Sequence, residues 1–336
     1  MPKVAVAGAT TWGTTLGIIL ARKGIHVKLL ARTEGEAAEL NRSRQHARAL
    51  PDIHFPTRLT ATSIPSEALE GADMVILATP AQTVRQNVSI IKQYIEPSTL
   101  ILSVAKGLEV GKGLRLTEVI KEEVHPHLHR NICVLAGPNL AKEVVRGLPA
   151  ATNVAAEDEE IARMAQHLLV TKQFGVFVST DMVGVELSGA LKNIIALGAG
   201  IAEGLGYGDN AKATYMTWGW AEMVMLGMAA GARQETFMGL AGLGDLVVTC
   251  ISPLSRNHYV GLELAKGRSL NEILSSMHEV AEGVATTRAA QQMASRLGVD
   301  MPVTRAIHKV LFDGVEPRKA VMDLFGGTFN SMHDSR

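Results

Sequence analysis

From Lys3 to about Ser179 short β-branched runs alternate with segments of helical period, which restricts this half of the chain to a parallel sheet covered by helices. Candidate strands fall at 3–7, 26–31, 73–78, 99–104, 132–136, 151–155 and 174–178, and candidate helices at 13–23, 82–95, 116–122 and 159–169. Gly24 closes the first helix as a C-terminal stop. Past about Asp181 the strands cease. Ala, Leu, Met and Gly then recur at helical spacing over 183–203, 211–230, 258–265, 270–277, 286–297 and 303–311. The boundary is placed there, giving domains 1–180 and 181–336, expected to pack directly and share a cleft.

A chain of 336 residues is long for one compact core, which agrees with two domains. Its 33 basic and 33 acidic residues cancel, removing the broad electrostatic reason for a nucleic-acid or anionic-membrane partner. An anion must therefore be held locally. The longest apolar runs contain Gly and Ala and fall short of the roughly 18–20 residues of a membrane span. The opening Met1-Pro2-Lys3-Val4 enters a strand without a leader pattern, so a cytoplasmic address is expected. Cys133 and Cys250 sit in apolar stretches and are expected as reduced thiols.

Gly8-Ala9-Thr10-Thr11-Trp12-Gly13 stands where a dinucleotide-binding fingerprint belongs, directly after the first strand and opening a helix. Gly8 serves the turn and Gly13 the close helix packing, while the helix start offers N–H groups and a positive dipole end to phosphate. Thr10 occupies the position where a second glycine lets the backbone approach the pyrophosphate. The plain alternative is a Gly-containing turn in some other α/β protein. The second strand ends at Ala31-Arg32, where NAD-specific proteins usually carry an acidic residue; Arg32 suits a 2′-phosphate, or is a solvated strand-end Arg. Lys106, between an apolar strand and Gly107, is either solvated or aimed at a ligand phosphate or reacting oxygen.

In the second half Lys192 lies among small and apolar residues. An ammonium group is expensive there unless paired or used, and desolvation would lower its pKa toward acid–base work. Asn193 and Asp245 are candidates to hold the amine; a Lys snorkelling to solvent is the bland alternative. Gly239-Leu240-Ala241-Gly242-Leu243-Gly244-Asp245 permits close backbone approach, for helix packing or for a ligand. Ser255-Arg256-Asn257 precedes a helix and suits a phosphate monoester, or is a cap with an exposed Arg. His125, His127 and His129 alternate in a polar stretch and read as a solvated loop rather than a metal site.

In this order, the segments resemble bacterial glycerol-3-phosphate dehydrogenase over nearly the whole chain. The resemblance rests on the fingerprint, Ala105-Lys106-Gly107-Leu108-Glu109, Gly137-Pro138, 186–193, Gly208-Asp209-Asn210, 239–245, 255–257 and 280–283. It implies an α/β protein: a Rossmann-type doubly wound sheet followed by an all-helical substrate-binding and catalytic domain. It also implies NADP or NAD as cofactor and a small-molecule phosphate substrate. By the same resemblance Lys192 is the general acid/base, and Lys106, Gly137, Asn139, Lys192, Asp245, Ser255, Arg256 and Asn257 bind substrate. Gly8, Thr11, Trp12, Gly13, Arg32, Lys106, Ala141, Arg256, Val280 and Glu282 would meet the cofactor. The implied reaction interconverts dihydroxyacetone phosphate and sn-glycerol 3-phosphate for phospholipid synthesis. Thr10 replaces a glycine of the family pattern, Asn139 stands where Ser or Thr is common, Ala211 where Thr is common and Trp218 where Arg is common. Two other readings remain: a related two-domain dehydrogenase of another hydroxy acid, and a non-catalytic nucleotide sensor. A homodimer is expected from the apolar helices of the second half.

Overall fold

The computed structural model describes residues 1–333. The chain divides into two compact units. The first comprises Met1–Lys106 and Arg115–Glu186, the second Gly107–Leu114 and Leu187–Arg336, a finer division than a single cut at 180 because residues 107–114 leave one unit for the other.

In the first unit, β1 (Lys3–Ala7), β2 (His26–Leu30), β3 (Leu59–Thr62), β4 (Met74–Leu77) and β5 (Leu100–Ser103) precede a short hairpin, β6 (Leu108–Glu109) and β7 (Leu114–Arg115). Then come β8 (Ile132–Ala136), β9 (Ala150–Ala156) and β10 (Phe174–Ser179). The helices between them are α1 (Thr11–Arg22), α2 (Glu34–Ser43), α3 (Pro65–Leu69), α4 (Val84–Ile91), α5 (Leu116–Glu123), α6 (Ala141–Val144) and α7 (Glu159–Leu169). The sheet has eight strands in the order β3-β2-β1-β4-β5-β8-β9-β10. Strand order reverses between β1 and β4, the switch point at which doubly wound sheets bind ligands. Every residue of β4 and β8 is buried, as strands covered on both faces require.

Four features depart from the sequence expectation. The four-residue edge strand β3 and the helices α2 and α3 were not legible, because β3 alternates Thr with small apolar residues and α2 buries only Ala37 and Leu40. The sheet is not wholly parallel. β9 runs antiparallel to β8, since the intervening connection holds only the single-turn α6, too short for a parallel crossover; α7 then returns the chain parallel to β9 in β10.

The second unit is mostly rather than wholly helical, since it includes part of the hairpin. Its helices are α8 (Met182–Gly204, begun in the first unit), α9 (Gly208–Ala229), α10 (Gln234–Met238), α11 (Asp245–Ile251) and α12 (Arg256–Ala265), followed by α13 (Leu270–Ser276), α14 (Glu282–Leu297), α15 (Pro302–Phe312) and α16 (Pro317–His333). α8 has 23 residues with mean hydropathy 1.3, so by length and composition it is long and apolar enough to cross a membrane, which the apolar runs of the sequence did not suggest. It is wholly buried within the structure, as the central helix of a core is. Its small residues let neighbours in: a Cβ on Gly200 would strike the backbone of His258, and one on Gly198 the Tyr215 ring.

Candidate functional site

At the switch point, β1 runs into a turn closed by Gly8, whose φ of +111° suits glycine and whose missing Cβ would lie 2.9 Å from Ala78 O. A Cβ on Gly13 would strike Gly8 O, so both glycines are required for α1 to start this close to β1 and β4. Thr10 is the N-cap of α1. Its hydroxyl donates to Ala78 O at 2.8 Å and accepts from Gly13 N at 3.1 Å, so the side chain is committed to the strand end and the helix cap. The steric objection that Thr10 raised in the sequence is thereby met locally, at the cost of one N–H otherwise available to an anion. Half-buried Trp12 packs edge-on to Phe174 at 6.3 Å, and its Nε1 is buried without a partner. Thr15 Oγ1 donates to Ala141 O at 3.4 Å, bringing α6 against α1. Arg32 stands apart, exposed after β2, with its backbone N–H held by Glu36 at 2.8 Å. A glycine-lined turn, a helix start and an orphaned indole N–H fit the diphosphate end of a nicotinamide dinucleotide.

A second cluster of this unit lies at the ends of β5 and β8. Lys106 Nζ donates to Gly137 O at 2.9 Å. Gly137 is pressed on Thr152, which a Cβ would approach to 2.8 Å, and Thr152 Oγ1 accepts from Asn139 Nδ2 at 2.9 Å. The Asn139 carbonyl oxygen is buried and unpartnered, an acceptor available to a ligand hydroxyl. Glu186, in contrast, is structural. Its carboxylate takes the Thr117 backbone N–H at 2.8 Å, the Thr117 hydroxyl at 2.5 Å and Arg115 Nη1 at 3.1 Å, fixing the start of α5. Burial pushes its carboxyl upward, against the opposing pull of Arg115 and Thr117.

In the second unit Lys192 is 5% exposed in mid-α8, and its Nζ donates to Asp245 Oδ1 at 2.8 Å and to Thr249 Oγ1 at 2.5 Å. It is therefore paired rather than snorkelling. Asp245 is 1% exposed and emerges directly from a π-helical turn, Leu240–Gly244. Such turns recur at functional sites because the widened backbone re-aims the residue that follows. Gly242 is obligatory there, since a Cβ would enter the Phe237 backbone. Thr249 sits one turn beyond Asp245 on α11 and was missed in the sequence; the i, i+4 spacing from Asp245 was its only signal. The ammonium group depresses the thiol of neighbouring Cys250 less than burial raises it, leaving that thiol at about 12 and un-ionised.

Asn193, adjacent to Lys192, accepts from Asn257 Nδ2 at 2.8 Å, and Asn257 Oδ1 accepts from Gly283 N at 2.9 Å. One amide chain thus joins α8, α12 and the start of α14. Gly283 was read only as part of a motif; a Cβ there would lie 2.6 Å from Asn193 O. Ser255 caps α12, accepting from His258 N at 3.2 Å, and Arg256 is exposed with its Nε 3.8 Å from Glu279. Val280 is exposed and Glu282 half-buried at the opening of α14. Of the two remaining family departures, Trp218 packs on Phe325 of α16 at 4.8 Å, and Ala211 lies in the first turn of α9. Among the described residues no cluster of three metal-ligating side chains occurs, and His129 Nε2 is engaged by Lys121 O.

A doubly wound sheet with a glycine turn at its switch point, followed by a helical unit holding a buried lysine–carboxylate pair, defines a nicotinamide-dinucleotide-dependent oxidoreductase. The chain belongs to the NAD-dependent glycerol-3-phosphate dehydrogenase family, whose N-terminal model matches residues 3–162 and whose C-terminal model matches 181–322. The glycerol-3-phosphate dehydrogenase (NAD(P)+) of Dehalococcoides mccartyi is 50% identical over 325 residues, 96% of this chain and 90% of the relative. That of Chlorobium phaeobacteroides is 43% identical, covering 96% of each. The crystal structure of glycerol-3-phosphate dehydrogenase from Coxiella burnetii superposes with a TM-score of 0.92 at 35% identity, covering 96% of this chain and 98% of that one.

Proposed function

We propose that this chain reduces dihydroxyacetone phosphate to sn-glycerol 3-phosphate with Lys192 as the proton donor, and that the reverse reaction uses the same residue as base. The observation that carries the assignment is Lys192 itself, buried and hydrogen-bonded to Asp245 and Thr249. A nicotinamide held here would supply the hydride to the carbonyl carbon in reduction and would take it from the carbinol carbon in oxidation. Lys192 Nζ delivers its proton to the carbonyl oxygen as negative charge develops there, and Asp245 and Thr249 aim the amine and offset its burial. Lys106, Gly137 and Asn139 contact the substrate. Ser255, Arg256 and Asn257 at the N-terminus of α12 hold its phosphate, a remote anchor that orients the reacting carbon.

Gly8, Thr11, Trp12, Gly13 and Ala141 are the residues of the first unit assigned to the dinucleotide, and Arg256, Val280 and Glu282 are cofactor candidates by sequence resemblance. Exposed Arg32, at the position after β2 where NAD-specific proteins usually carry an acidic residue, favours NADP over NAD. Supply of glycerophosphate to phospholipid synthesis and a cytoplasmic address belong to the same reading, and the free, buried Cys133 and Cys250 agree with a reducing compartment. A homodimer is supported by Leu243, Val247 and Ile251, exposed apolar residues spaced four apart along the π-turn and α11. A sedimentation mass equal to one chain contradicts it. For the activity, turnover of dihydroxyacetone phosphate with NADPH or NADH is expected, and binding of either cofactor without turnover overturns the assignment.

A further inference from the structure

The hairpin β6–β7 begins two residues after Lys106, with only Gly107 between that lysine and the first paired residue, Leu108. Leu108 is fully buried, and the hairpin packs on α14. Its turn is captured from α14 by two exposed side chains. Gln292 Oε1 accepts from Gly111 N at 3.0 Å, and Arg296 donates through Nη1 to Lys112 O at 2.8 Å and through Nη2 to Gly113 O at 3.2 Å. Gly113, at φ +62°, lies so close to α14 that a Cβ would stand 3.0 Å from Ala289 O and Met293 N. At the other foot, Arg115 is held by buried Glu186 and bonds through its backbone N–H to Glu118 at 2.8 Å. Nothing in the proposed chemistry uses Gln292 or Arg296, yet they fix three backbone groups of a loop whose first residue follows Lys106.

We propose that Arg296 and Gln292 are positioning residues that act through this hairpin, along the chain, to set the backbone placement of Lys106. The inference rests on the proposed role of Lys106. A backbone held at both feet and at the turn transmits a shift of the turn to its nearest residue, and small misplacement of a binding group is expensive in rate. Both side chains are exposed, so their loss should barely change global stability.

The test measures kcat and KM for dihydroxyacetone phosphate, NADPH affinity by fluorescence titration, and Tm for Arg296→Ala, Gln292→Ala and the pair, each in the wild-type and Lys106→Ala backgrounds. In the wild-type background the pair should lower kcat/KM roughly tenfold and weaken NADPH binding several-fold, with Tm nearly unchanged, and Arg296→Lys should restore part of the loss. In the Lys106→Ala background the pair should weaken NADPH binding no further, because interacting residues are non-additive. Unchanged kcat/KM and affinity in the wild-type background, or an equal loss of affinity in both backgrounds, overturns the proposal. Failure of the wild type to turn over dihydroxyacetone phosphate would instead defeat the functional assignment, leaving the affinity cycle to judge the hairpin.

Discussion

Lys192 and Asp245 are each so enclosed that removing one leaves the other as an uncompensated buried charge, a loss of about 3–5 kcal/mol where such pairs have been broken. Asp245→Ala should therefore lower Tm and activity together, whereas Asp245→Asn, which keeps an acceptor toward Lys192, should cost activity with a smaller change in Tm. Thermal melts beside initial rates separate the two. Thr10 makes a different prediction. Because its hydroxyl caps α1 and binds Ala78 O, Thr10→Ala should cost about 1 kcal/mol of stability. It should change NADPH affinity by less than about threefold; a tenfold change would mean that the hydroxyl acts on the cofactor. In the sequence Thr10 stands only as a missing glycine, since the fingerprint pattern has no register for a side chain bonded to the end of the neighbouring strand β4. Lys192, by contrast, was legible because a charge amid Gly, Ala, Leu and Ile on a helix demands a partner, although Thr249 was not, as a lone Thr in an apolar helix carries no such demand.

At the scale of elements, α15 opens with Pro302 and no capping side chain of its own, and the cap comes from α9. Glu222 accepts the backbone N–H of Val303 and, at 3.0 Å, both the backbone N–H and the hydroxyl of Thr304. Burial is the main influence and pushes this carboxyl up to about 7, above the 4.5 it has when exposed. A group whose pKa is raised by folding holds its proton more tightly in the folded state. Its contribution is present in full below pH 4.5 and is lost as pH rises through about 7. Glu222→Gln should flatten stability between those limits relative to wild type, by up to about 3 kcal/mol, as read from chemical denaturation at pH 5 and pH 8. Equal pH dependence in both proteins would show that burial does not govern this carboxyl. Most strands and most long helices of the chain were legible from periodicity, but α2, α11 and α16 were not foreseen. β3, α3, α6 and α10 escaped as well; they are four or five residues long, too short for a period to show, and their place is set by the sheet edge or by neighbouring turns.

For the whole molecule, the chain passes between its two units at Lys106/Gly107, Leu114/Arg115 and Glu186/Leu187. The sequence expectation of a single boundary near Asp181 rests on the change there from strand period to helix period. The excursion of 107–114 is too brief to alter composition and is dictated by side chains on α14 far along the sequence. The reversal of β9 was hidden for a similar reason, since a strand reads alike in either direction and only the length of its connection decides. As a test at this scale, saturating NADPH at about a hundred times its dissociation constant should raise the unfolding free energy by about 2.7 kcal/mol if only the folded chain binds it. An unchanged melting profile would deny the first unit its cofactor.

Acid–base catalysis by Lys192 in the reduction of dihydroxyacetone phosphate is open to a direct test. The direct measurement is the initial rate of NADPH and of NADH oxidation with that substrate, for wild type and Lys192→Ala, with cofactor affinity measured alongside. Wild-type turnover is expected, with a loss of roughly 10²–10⁴-fold in kcat for the variant at unchanged cofactor affinity. A variant that retains wild-type kcat, or a wild type that binds cofactor and leaves the substrate untouched, would contradict it.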